Sequence, residues 1–302
     1  MQRRFYLAEV PNETTVIGYI ARKTNMHEKI AHLRPRRRYS QMLTIRGIEV
    51  DTERMARCLS EIHETFGLFP WSSVEGPIHG YRGFSLAYNP DHQDKLEIHQ
   101  SSIGTPKNNK TQYFYAETES HRYLKNSYFD CYSFRKPTPA SCYGYLGELM
   151  SQFRRSRVKS RVATLYAQYF FEQTGRFNFG WHRDELIFEN LRMNIPITTA
   201  PEFRFQYYPR TIDKPYPGME GLVDKHLEVG RVYSWDTNKP HRVYCTEHTQ
   251  NQRTHIVLGF SPWFDYLPEE EAWEVNEFFG ELHPFDMIHE GYIHPNAYIE
   301  GV

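Results

Sequence analysis

Trp181-His182-Arg183-Asp184, Leu191-Arg192-Met193-Asn194-Ile195-Pro196-Ile197-Thr198, Pro240-His241-Arg242-Val243-Tyr244-Cys245 and Arg253-Thr254-His255-Ile256-Val257-Leu258-Gly259-Phe260 lie in one stretch, and its reading decides the fold. Side chains alternate faces along a strand, so Arg192 and Asn194 share one face of their run while Leu191, Met193, Ile195 and Ile197 share the other. From Arg161 onward this period of two dominates. Strands are expected over Val162–Glu172, Leu191–Thr198, Glu202–Tyr208 and Leu227–Trp235, with Gly230 at a turn or bulge. Phe177 to Gly180 delivers the chain to His182, and a Pro- and Gly-rich loop follows Tyr208 as far as about Gly221. His241–Cys245 and Arg253–Phe260 are expected to pair as a hairpin across the polar turn Thr246–Asn251, which would set His241 and Arg253 on one face of one sheet.

Composition agrees with a β-rich chain. Aromatic residues make up 16% of the 302 residues, with 22 Tyr and 20 Phe, which favours strands and an aromatic-lined cavity over a helical bundle. A formal net charge of -1 gives no global drive towards nucleic acid or an anionic membrane, so neither is expected as a partner. Cys58, Cys131, Cys142 and Cys245 include no CxxC pair; they read as reduced thiols of a cytoplasmic protein. Met1 to Phe5 lacks the apolar run of a signal peptide, and no stretch approaches the length of a bilayer span.

The rest of the chain reads as additions to a barrel at 161–262. Within 1–160, strand-like runs cover Arg4–Val10 and Thr15–Ile20, and the basic run Arg34–Arg38 reads as a solvated face. Asp51 opens a packing helix with Met55, Cys58, Leu59, Ile62 and Phe66 on one stripe and Gly67 at its end. The irregular segment from Pro70 to about Lys125 suits a lid or substrate loop. A further helix is expected from Tyr143 to about Phe153, and the basic run Arg154–Arg161 reads as its solvated end. In 263–302, Pro268–Phe279 has the proline start, acidic first turn and stripe of a helix.

The chemistry concentrates in the opening stretch. Two imidazoles and one carboxylate on one face leave half an octahedral shell open, the ligand set of non-haem iron(II) oxygenases, and His182, Asp184 and His241 supply it. Arg253 would be an inward charge that needs an anion, and a planar guanidinium takes a carboxylate through two parallel bonds. Arg192 and Asn194 read as cavity-lining groups that orient cosubstrate or substrate. Alternation also offers Tyr166, Gln168 and Trp181 as substrate-pocket residues. A second triplet, His92-Gln93-Asp94, sits in a polar turn with no His and Arg pair after it at comparable spacing, so it is not expected to bind metal.

Taken together, His182-Arg183-Asp184, Asn190 to Ile197, Leu227 to Asp236, His241 and Arg253 to Leu258 resemble the aspartyl/asparaginyl β-hydroxylase-like branch of the 2-oxoglutarate oxygenases, which includes bacterial hydroxylases of free amino acids such as proline. The resemblance spans about residues 160 to 262. It implies a double-stranded β-helix, the cupin-like jelly roll, with flanking helices, and it implies Fe(II), 2-oxoglutarate and O2. By the same resemblance His182, Asp184 and His241 hold iron, while Arg253 and Arg192 hold 2-oxoglutarate; family members often carry histidine where this chain has Asn194. Related halogenases replace the carboxylate at Asp184 with Gly or Ala, so its presence implies hydroxylation. The expected substrate is a small molecule, a free amino acid or derivative. The alternatives are a protein or peptide side chain, and a non-enzymatic cupin-like binding protein.

Overall fold

The computed structural model describes residues 3–11, 15–67, 69–73, 76–91, 130–167, 178–209 and 220–302. The first half of the chain contains β1 (Arg4–Tyr6), α1 (Val16–Thr24), α2 (Met26–His32), β2 (Met42–Arg46), α3 (Thr52–Phe66), β3 (Phe69–Ser73), β4 (Gly76–Ser85), β5 (Ala87–Tyr88), β6 (Lys136–Pro137) and α4 (Gly144–Ser151). Then come β7 (Arg161–Tyr166), β8 (Asn178–His182), β9 (Leu191–Thr198), β10 (Phe203–Tyr207), β11 (Val223–Lys225), β12 (Val232–Trp235), β13 (His241–Cys245) and β14 (Gln252–Phe260). The chain closes with β15 (Phe264–Leu267), β16 (Ala272–Val275), α5 (Pro284–His289) and β17 (Tyr298–Ile299).

Strands β7 to β14 divide between two antiparallel sheets. One sheet runs β12-β9-β14-β7 at its centre, and the other runs β11-β10-β13-β8. The chain passes back and forth between these sheets, which makes the architecture a jelly roll of the cupin type. The expected hairpin of β13 with β14 does not form. β13 pairs with β10 and β8, and β14 pairs with β7 and β9, so the turn at 246–251 carries the chain from one sheet to the other. Periodicity shows that two runs are strands; it does not show which neighbour each one takes.

Alternation assigns the faces. On β14, Ile256, Leu258 and Phe260 join the large outer core, beneath Met55, Leu59 and Ile62 of α3 and Leu146 and Leu149 of α4. The opposite face of the sheet looks into the roll, where it meets two smaller apolar clusters. Ala163, Leu165, Ala167, Phe203 and Cys245 form one, and Met42, Phe205, Tyr207, Leu227, Tyr233 and Trp235 the other. Arg192, Asn194, Arg253 and His255 belong to this inner face, and all four are buried.

Described strands of the first 160 residues are woven into the barrel. β2 pairs with β12, β4 pairs with β7 and β3 with β4, which extends the larger sheet to the eight-stranded order β17-β2-β12-β9-β14-β7-β4-β3. The helix expected after Asp51 forms, with the Asp51 side chain accepting from Arg54 N–H and Gly67 at its end with φ 87°. The helix expected from Tyr143 forms as α4. Thr15–Ile20, expected as a strand, instead begins α1: Thr15 caps it by accepting from Gly18 N–H, and the buried Asp130 carboxylate accepts from Val16 and Ile17 N–H. The run expected at Leu227–Trp235 is strand only from Val232, after Gly230 turns at φ 76°.

The tail also differs from expectation. Pro268–Phe279 is a turn and a strand, because β16 pairs with both β15 and β1 and buries Trp273 completely, 4.4 Å from Tyr132 between ring centroids. The run Arg154–Arg161 is no solvated face either. Arg155 pairs with Asp265 at 3.2 Å, Arg157 donates to Met150 O, and Lys159 and Arg161 are buried. Among the described residues, no helix is long and apolar enough to cross a membrane.

His283 caps α5 by accepting from Phe285 N–H at 3.2 Å through Nδ1. Burial brings this imidazole down to about 4, against the upward pull of Asp286. A protonated ring cannot accept at Nδ1, so the charged form loses the cap. Between about 4 and the usual histidine value near 6.5 the unfolded chain binds more protons than the folded one, so stability is complete above this window and falls as pH drops through it. We expect up to about 3 kcal/mol to be lost by this route. Urea denaturation at several pH values should show His283→Asn, which keeps an acceptor and does not titrate, to be flatter than the wild type across this window.

Candidate metal centre

The three expected ligands come together. His182, the last residue of β8, pairs in register with His241, the first residue of β13, and their ring centroids lie 4.3 Å apart. Asp184 follows two residues later, and its backbone is pinned to the turn before β13. Asp184 N–H donates to Thr237 O at 2.8 Å, and Asn238 Nδ2 donates to Asp184 O at 3.0 Å. The carboxylate Oδ2 stands 3.4 Å from His241 Nε2. One ligand atom from each of the three residues lies within 4.8 Å of the others. His241 Nδ1 sits 2.9 Å from Lys239 O, so Nδ1–H donates there and the Nε2 lone pair faces Asp184 and His182. Phe205 and Trp235 form an aromatic wall, with Trp235 5.8 Å from the His241 ring. Two nitrogens and one oxygen on one side of a dry wall suit an octahedral divalent ion with open positions better than a closed tetrahedral zinc site.

Charge around the triad is balanced by a buried network. Arg192 Nη1 is hydrogen-bonded to Asp184 Oδ2, and its Nη2 donates to Glu185 Oε2 at 2.6 Å. Lys159 Nζ reaches Glu185 Oε1 at 2.6 Å, and Asn190 Nδ2 adds a longer bond at 3.4 Å. Burial pushes the Asp184 carboxyl up, but Arg192 and the two imidazoles outweigh it and hold the group well below the usual carboxylate range. For Glu185, burial and the Asp184 charge push up, and Lys159 and Arg192 prevail, which brings it down to about 2. Both carboxylates are therefore ionised at neutral pH.

The remaining predicted residues divide. Arg253 is buried on the inner face of β14, in register with Leu165, and its Nη2 lies 2.8 Å from His255 Nδ1. Asn194 is buried on the inner face of β9, level with Tyr233 and Val257. Arg192, expected to face cosubstrate, instead has Nη1 and Nη2 on Asp184 and Glu185. Its position beside two acidic residues in the preceding loop favours this closer pairing. Tyr166 and Trp181 fall outside the inner face. Tyr166 shares parity with Val162, which packs in the outer core, and the Arg82 guanidinium lies 5.8 Å from its ring. Trp181 precedes the inward His182, and Arg242 stacks over it at 4.7 Å. Gln168, His92 and Asp94 lie outside the described residues.

Sequence reasoning missed Glu185, Lys159 and His255. Glu185 adjoins the His182–Asp184 triplet, Lys159 sat in a run read as solvated, and His255 has the same parity as Arg253; only the last is visible from alternation.

No family model matches the sequence, and no curated protein matches it. Solved structures with a similar arrangement include the non-haem alpha ketoglutarate dependent epimerase SnoN from nogalamycin biosynthesis, at 11% identity over 80% of this chain and 82% of that one, with a TM-score of 0.39. Another is an oxidoreductase of the 2OG-Fe(II) oxygenase family from Burkholderia pseudomallei, at 13% identity over 78% and 90% of the two chains, with a TM-score of 0.39. A third is a prolyl hydroxylase from Trichoplax adhaerens in complex with a hypoxia inducible factor peptide, at 12% identity over 84% and 94%, with a TM-score of 0.36. These overlaps are loose and set no residue roles.

Removing the buried cation between two half-buried carboxylates should be costly. Arg192→Leu is expected to lose about 3–5 kcal/mol of unfolding free energy, because it leaves buried charge uncompensated. Adding Glu185→Gln to this variant should restore part of the loss. A double-mutant cycle by urea denaturation measures both effects.

Proposed function

We propose that this chain is an Fe(II)- and 2-oxoglutarate-dependent oxygenase that hydroxylates a small molecule, a free amino acid or derivative, in the manner of the aspartyl/asparaginyl β-hydroxylase-like branch. The observation that carries this reading is the meeting of His182, Asp184 and His241 inside a jelly roll whose inner face also presents a buried arginine, Arg253. The amino-acid substrate rests on the sequence motifs from His182 to Leu258.

In this reading His182 and His241 give neutral nitrogens and Asp184 a charged oxygen, and iron with 2-oxoglutarate supplies the activation of O2 for C–H oxidation. The protein contributes position and charge. Lys239 O holds the His241 tautomer, and the 236–238 turn fixes the reach of Asp184. Arg192 keeps Asp184 ionised. Arg253 takes the far carboxylate of the cosubstrate, and Phe205 and Trp235 exclude water beside His241. A protein that merely held a metal would have no use for the buried guanidinium.

The test is turnover. Purified protein with Fe(II), ascorbate and 2-oxoglutarate is screened for succinate release against the proteinogenic amino acids and a peptide library. Stimulation by an amino acid supports the reading, stimulation by peptides alone moves the substrate to a protein side chain, and no stimulation by either overturns the hydroxylase. Anaerobic Fe(II) and 2-oxoglutarate should give the weak visible charge-transfer band of a chelated keto acid. His182→Ala and His241→Ala should each abolish stoichiometric iron binding.

Arg253→Ala should raise the KM for 2-oxoglutarate by about two to three orders of magnitude, the equivalent of about 3–5 kcal/mol for breaking a buried ion pair. Arg253→Lys should recover only part, since lysine keeps the charge and loses the fork. Iron stoichiometry, measured on the same preparations, should be unchanged.

A further inference from the structure

His255 is 1% exposed and stands on the same inner face of β14 as Arg253. Its Nδ1 lies 2.8 Å from Arg253 Nη2. A guanidinium can only donate, so Nδ1 is the acceptor and the single proton of a neutral ring sits on Nε2. Burial and the neighbouring Arg253 charge, with a smaller effect from His226, hold the imidazole well below its usual range and so keep it neutral. The Nε2–H is buried, and among the described residues it has no acceptor. Its strand neighbours in register, Pro196 and Ala163, offer no polar side chain. A buried donor without a partner is costly, and such a donor beside a buried cation on the inner face of the roll is placed to meet an anion.

We infer that Arg253 and His255 act as one anion seat, in which His255 Nδ1 orients the Arg253 fork and Nε2–H donates a neutral hydrogen bond to the 2-oxoglutarate carboxylate remote from the metal. The inference rests on the oxygenase reading and adds a binding residue to it. His255 thus tunes affinity for the dicarboxylate, and it makes no demand on the metal ligands.

The experiment measures binding, with no turnover. Titration calorimetry on the Mn(II)-loaded protein compares 2-oxoglutarate with 2-oxobutyrate, which offers the same keto-acid chelate and lacks the second carboxylate. His255→Leu should weaken 2-oxoglutarate by about ten- to a hundredfold, the range for a hydrogen bond to a charged group, and leave 2-oxobutyrate within about twofold. His255→Gln, which can accept and donate at once, should restore most of the affinity. Nitrogen-15 spectra of histidine-labelled protein should show an Nε2–H tautomer for His255 whose proton signal moves on addition of 2-oxoglutarate. Equal loss of both keto acids would make His255 merely structural and overturn the seat. Unchanged 2-oxoglutarate affinity in His255→Leu would overturn it too, with the oxygenase reading intact. Failure of the wild-type protein to bind either keto acid would sink the oxygenase reading itself.

Discussion

Inside the roll, the constraint on which the rest depends is charge neutralisation around Asp184. A carboxylate beside Glu185 in a largely enclosed site stays ionised only with cations at hand, and Arg192 and Lys159 supply them. These cations come from different places: Arg192 from the inner face of β9, Lys159 from the approach to β7. The loop between β8 and β9 is therefore tied to two strands of the opposing sheet. This tie fixes where Asp184 stands relative to His241, and with it the spacing of the three ligand atoms.

Layering follows from the same economy of burial. Strands β7, β9, β12 and β14 of the larger sheet give an apolar face to the outer core and their other face to the interior, so polar groups on this second face remain buried. The inner apolar clusters lie at two levels of the roll, one with Leu165, Phe203 and Cys245, the other with Phe205, Tyr207 and Trp235. Arg253 is in register with Leu165, while His241 is in register with Tyr207. The Arg253 guanidinium and the triad of His182, Asp184 and His241 thus occupy different levels of the roll.

Much of this was legible in the chain. Period-two alternation located β9, β13 and β14 almost to the residue, and the order of His182, Asp184, His241 and Arg253 identified the inner polar face. Pairing was not legible. Adjacent strands joined by a short polar turn usually form a hairpin, yet β13 and β14 part into separate sheets, and His241 and Arg253 face the interior from opposite sides. The same limit applies to Arg192, whose alternation was read correctly while its partners depended on a loop fold that alternation does not encode. Helical periodicity misled at Pro268–Phe279, where two strand pairings and the burial of Trp273 outweighed an acidic, helix-like opening. The basic run Arg154–Arg161 misled for a related reason: composition reports charge, while its partners Glu185 and Asp265 lie elsewhere in the sequence; Arg34, Arg36 and Arg38 are exposed as expected.

The interlocking of the chain's two ends governs how this molecule must fold. β1 takes β16 as its partner, β17 covers the edge of β2, and Arg36 and Arg37 reach Glu290. Contacts that span some 250 residues close only after the intervening chain has collapsed, so the loop-closure entropy falls due late and the transition state is expected to form slowly. Until β17 arrives, β2 presents an unpaired edge to other chains. A chain whose β17 has not yet docked is thus at its most sticky, and dilution or a chaperone that shields sheet edges should favour correct assembly.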